Sequence, residues 1–67
     1  MDQIVFCRTA QSGNVFWILG MAKKILMKDG RKAEAIQMQE RVCNSGSYED
    51  ALEIMSEYVE LVEVDEQ

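Results

Sequence analysis

The side chains able to do chemistry are few, and their spacing points away from catalysis. The 67-residue chain holds two cysteines, Cys7 and Cys43, and no histidine. The cysteines lack the Cys-x-x-Cys spacing of redox and zinc sites, and without an imidazole a metal site lacks its commonest nitrogen ligand. They read as small reduced core residues, with an intramolecular disulfide as the alternative. No Asp, Glu, Lys, Tyr or Cys stands beside a partner at a recognised motif spacing. The expectation is therefore a chain that is not an enzyme and carries no cofactor or metal.

Three groups could bind rather than react. Ser12, Gly13 and Asn14 precede a helix-forming stretch, where free backbone N–H groups suit a phosphate or small nucleotide. Helix capping explains the same residues, and neither GxxxxGK[ST] nor GxGxxG occurs. Lys23, Lys24, Lys28, Arg31 and Lys32 form a basic cluster. It lacks the interleaved aromatics of a single-strand binder, and lysines solvated at a helix end account for it. The run Glu49, Asp50, Glu53, Glu57, Glu60, Glu63, Asp65 and Glu66 could imitate a phosphate backbone in a basic groove of another protein. More often such a run is a solvated face.

The elements that must position these residues follow from periodicity. From Asn14 to Asp29, at about 100° per residue, Val15, Ile18, Leu19, Ala22, Ile25 and Leu26 share a stripe that faces a core. Phe16, Gly20 and Met27 flank it. Trp17, Met21, Lys24 and Lys28 lie opposite, where lysines are expected and a tryptophan is not. Those four are the interface candidates, since tryptophan is over-represented among binding hot spots; burial of Trp17 under another element is the competing expectation. Asn14 is a good N-cap, and Gly30 stands where a glycine would end the helix. Arg31 to Cys43 reads as a second helix, with Ala35, Met38, Gln39 and Val42 inward and Ile36 and Cys43 beside them. Ser47 with Asp50 approximates a capping box for a third helix, along which Tyr48, Leu52, Met55 and Val59 recur at helical spacing.

Gln3 to Arg8, with Ile4, Val5, Phe6 and Cys7 apolar on both faces, reads as a strand, and so does Val59 to Asp65. Two such strands cannot stand as isolated ribbons and should pair with each other or across a dimer. The expected fold class is α+β, a single domain over residues 1–67. Its order is β-α-α-α-β, with three helices packed on a two-stranded sheet formed by the N- and C-terminal strands.

Charge divides the chain. Residues 1–41 carry seven basic and four acidic side chains, a sum of +3, whereas residues 42–67 carry eight acids and no base, −8, for a net −5. Such asymmetry steers charged partners and works against general nucleic-acid affinity. The apolar run Val15 to Ala22 is far short of the roughly 20 residues that span a bilayer, and no basic segment precedes it. A cytoplasmic protein without membrane association is expected. A domain this small buries only about 60% of its unfolded surface, which favours a homodimer.

Gly13-Asn14-Val15-Phe16 with Ile18-Leu19-Gly20, then Ser45-Gly46-Ser47-Tyr48 with Ala51-Leu52 and Tyr58-Val59, resemble small uncharacterised proteins encoded by phages and prophages. Those proteins show a Gly-Asn-aromatic helix start, a Ser-Gly-Asp-Tyr turn and a valine-rich end. Ser47 stands where that pattern more often has Asp, a conservative capping change. The resemblance, over roughly residues 12–62, implies a phage or mobile-element origin without an established activity. It also implies a role in binding, and in its sharper form inhibiting, a host macromolecule such as a defence-system component. The alternative is a small-ligand or nucleotide-binding module using the Ser12-Gly13-Asn14 helix entrance.

Overall fold

The computed structural model describes residues 2–65. Their order is β1 (Gln3–Phe6), a 3-10 turn (Gln11–Gly13), α1 (Val15–Lys28), α2 (Lys32–Cys43), α3 (Tyr48–Ser56) and β2 (Glu60–Glu63). The α+β class and the β-α-α-α-β order are as expected, with the three helices packed on a two-stranded sheet of the terminal strands.

Local chemistry sets the helix ends. The Asn14 side chain accepts a hydrogen bond from the Phe16 N–H at 2.8 Å, capping α1. At the other end Gly30 takes φ 74°, the Arg31 N–H donates to Leu26 O at 2.8 Å, and the Gly30 N–H donates to Met27 O at 3.1 Å. This pair of bonds is a Schellman closure, and its left-handed residue is one where only glycine escapes a Cβ penalty. It reverses the chain into α2. Ser47 caps α3 by accepting from the Asp50 N–H at 3.1 Å, the N-cap half of the capping box.

β2 lies parallel to β1, with Ile4 opposite Leu61 and Val5 opposite Val62. A parallel pair cannot be closed by a tight hairpin, and here the helical part of the chain makes the connection.

β1 and the three helices contribute to one core, and Leu61 of β2 packs partly buried against it. β1 supplies Ile4 and Phe6, α1 supplies Ile18, Leu19, Ala22 and Leu26, and α2 supplies Ala35, Met38 and Val42. Ala51, Leu52 and Met55 of α3 and Val59 complete it. No buried polar or charged side chain lies among the described residues, so the core is held by apolar burial and packing.

Several details differ from expectation. Val15 and Ile25 are only half-buried: Ile25 sits at the margin of the α1 stripe, and Val15, although central in it, is the first residue of the helix. β1 is apolar on both faces but covered on one: Val5 is 52% exposed, since the helices occupy only the side of Ile4 and Phe6. Neither cysteine is a core residue. Cys7 is half-buried at the strand end, and Cys43 is exposed because Val42 takes the inward position on α2; both thiols are free. β2 is shorter than the expected Val59 to Asp65, because Val59 is still bonded back to Met55 at the end of α3. No helix among the described residues is long and apolar enough to cross a membrane.

Candidate interaction site

The inward stripe of α1 leaves the other half of that helix to solvent. On this outward half Phe16 is 73% and Trp17 42% exposed, Met27 is also exposed, and Met21 is half-buried. Lys24 and Lys28 are exposed and Lys23 half-buried. Thus Trp17, Met21, Lys24 and Lys28 share one face, on which Trp17 keeps close to half of its surface exposed and Met21 packs partly against the core. Phe16 and Trp17 border one shallow depression with Gln11 and Asn14.

Phe16 and Met27, expected to flank the core stripe, belong to the exposed half of the helix. The signal was present. On a wheel of about 100° per residue, Phe16 lies roughly 115° and Met27 roughly 135° from the centre of the buried stripe. Gly20 is on the same side, and a Cβ built there meets no described atom within 4 Å apart from its chain neighbours and the backbone of its own helix. From Val15 to Lys28 the helix carries no acidic residue.

Lysines and arginines are used differently. Each arginine is held by glutamate. Arg8 donates from Nε and Nη2 to the two carboxylate oxygens of Glu63, both at 3.0 Å, also pairs with Glu49, and lies 5.1 Å from the Tyr48 ring centroid. Arg41 grips Glu57 at 2.7 and 3.0 Å and donates to the Tyr58 hydroxyl at 3.1 Å. Arg31 grips Glu34 at 2.7 and 2.8 Å. These contacts raise the arginine pKa values and hold the carboxyls of Glu57 and Glu34 below their ordinary range. By contrast, Lys23, Lys24, Lys28 and Lys32 form no ion pair among the described residues.

The acidic run is broken up by the same arginines. Glu49, Asp50, Glu53, Glu57 and Glu60 are all exposed. Yet Glu49 is paired with Arg8, Glu57 with Arg41, and Glu60 accepts from Gln3 at 3.1 Å. Asp50, Glu53 and Glu57 do line one open cleft with Glu40, but Arg41 lies among them. Glu66 of the run lies outside the described residues.

The helix entrance is occupied by its own chain. Ser12 Oγ accepts from the Cys7 N–H at 2.9 Å, the Gly13 N–H donates to Ala10 O at 2.9 Å, and Asn14 is committed to Phe16. The Tyr48 hydroxyl donates to Gly13 O at 2.5 Å. Gly13 is buried so tightly that a Cβ would stand 2.3 Å from Arg8 O. These residues tie β1, α1 and α3 together, and an anion there is left only the remaining N–H groups of the first turn.

Comparison with protein families, characterised proteins and solved structures finds no match.

Proposed function

We propose that this chain is a small interaction protein that binds another macromolecule through the outward face of α1. One observation carries the reading: Phe16 and Trp17 stand adjacent and exposed on a lysine-bearing helix face. Exposing two large aromatic rings forgoes the stabilisation of burying them, and aromatic side chains are the commonest anchors of protein interfaces. Scattered surface leucines or valines need no such explanation; a contiguous aromatic patch does.

The resemblance to small phage-type proteins supplies the setting, a host factor such as a defence component bound in the cytoplasm. Self-association belongs to the same proposal. Parallel sheets are ordinarily covered on both faces. Here β1 and β2 are both edge strands, and Val5 and Val64 are exposed, so a second copy laid on the sheet would cover apolar surface that the monomer leaves wet.

The test is capture from host cells with the full chain and with Trp17→Ala. The proposal predicts that Trp17→Ala keeps its helical circular dichroism and cooperative melt but loses a protein retained by the wild type. A variant that stays folded and retains every captured protein contradicts it.

A further inference from the structure

The outward face of α1 has a shape and a charge, and together they specify what can lie on it; this step rests on the reading of that face as the interaction surface. Phe16, Gly20 and Met27 recur along one line of the helix, with Trp17 and Met21 beside them. At Gly20 the line has a notch, because the residue has no side chain and its neighbourhood is empty to 4 Å. Glycine inside a helix is unfavourable relative to alanine. Among the described residues, no other part of the chain approaches Gly20 closely enough to need it there. A notch between aromatic and methionine side chains is a place where another helix can come close. α1 has 14 residues, about 21 Å of helix at 1.5 Å per residue, enough to contact roughly four turns of a partner.

Charge then selects the partner. Lys23, Lys24 and Lys28 project from this half of α1 with no ion pair among the described residues, and the helix carries no acid. A second copy docked face to face would set lysine against lysine. A nucleic acid or an anionic bilayer would satisfy the lysines, but either extends beyond the helix and meets a molecule of net charge −5. A short acidic segment is attracted locally and ends before the acidic half begins. We infer that the outward face of α1 receives an amphipathic helix whose apolar side chains pack over Phe16, Gly20 and Met27 and whose flanking aspartates or glutamates meet Lys23, Lys24 and Lys28.

Trp17 is the only tryptophan in the chain, so its emission reports on this face directly. The full-length protein is titrated with a synthetic amphipathic peptide about four turns long, leucines at helical spacing and glutamates elsewhere, and with its twin carrying lysines for glutamates. The expected result is a saturable blue shift with the glutamate peptide, an affinity that falls at least about tenfold when salt rises to about 1 M, and no shift with the lysine twin. Lys24→Glu combined with Lys28→Glu, which removes no core side chain, should reverse the preference. An equal response to both peptides, no response to the glutamate peptide, or a tighter saturable response to duplex DNA or phosphatidylserine vesicles overturns the inference. If Trp17→Ala abolishes capture while the glutamate peptide fails to bind, the interaction face stands and the acidic helix falls. If Trp17→Ala leaves capture intact, both fall.

Discussion

Tyr48 and Gly13 are 35 positions apart, and each accounts for the other. Tyr48 opens α3, and its hydroxyl reaches back to Gly13 O, while Arg8 lies over its ring and pairs with Glu49 and Glu63. Burial pushes the phenol pKa up, so Tyr48 stays a neutral donor at physiological pH. Tyr48→Phe removes that donor from a carbonyl at a buried glycine and should cost about 1 kcal/mol in urea denaturation; an unchanged midpoint would show that water replaces the hydroxyl there. The sequence displayed both residues as ordinary turn and cap signals. Their meeting was not legible, because a contact across 35 positions leaves no local pattern. Arg8 is a similar case, since none of its partners is near it in sequence.

Paired carboxylates give the acid limb of stability. Arg41 holds Glu57, and Arg31 holds Glu34, below the ordinary carboxyl range. A depressed folded pKa means that the folded state favours the ionised form. The contribution is therefore complete above the unfolded value and is lost as pH falls through the folded one. The Arg41–Glu57 pair is exposed and the Arg31–Glu34 pair only half-buried, so the effect is small. Melting temperature should be flat from pH 7 to about 5 and fall below that, and Glu57→Gln should make the fall shallower. A steeper acid limb in Glu57→Gln would contradict this assignment.

At the scale of elements, the helices were legible and the sheet only partly so. Asn14, Gly30 and Ser47 are local instructions, each acting on backbone groups within a few positions, and each is used as read. Strand direction depends on the path the chain takes between the two strands, and the open outer face of β1 depends on where the helices lie; neither is a property of Ile4 to Phe6. α1 provides a paired test of its two faces. Leu26→Ala, on the buried side with no exposed surface, should cost about 2 to 5 kcal/mol. Gly20→Ala, on the outward side, should stabilise by about 0.5 to 1 kcal/mol, because a Cβ there meets nothing and helix propensity improves. Calorimetry should show opposite shifts. A destabilised Gly20→Ala would mean that this half of the helix is covered.

At the scale of the molecule, charge, sheet and helix face act together. The net −5 separates into a lysine-bearing helix with no acid and a C-terminal third with no base, and Arg8 and Arg41, which lie outside that helix, bind Glu49, Glu63 and Glu57 of the acidic third. The acidic residues thereby become partly structural, which the run of eight acids did not reveal, because pairing is decided by the fold. Meanwhile the sheet keeps Val5 and Val64 in water. Sedimentation at micromolar concentration should show a dimer, and a 7.7 kDa species alone would contradict self-association through that surface.

The most direct test of the interaction face is a map of amide chemical-shift changes when the captured partner is added to isotope-labelled protein. The largest changes should fall along the outward half of α1, at Phe16, Trp17, Gly20, Met21, Lys24 and Lys28, with Asp50 and Glu53 little affected. Changes concentrated between Glu49 and Glu60, or at Ser12, Gly13 and Asn14 with the rest of α1 silent, would contradict it.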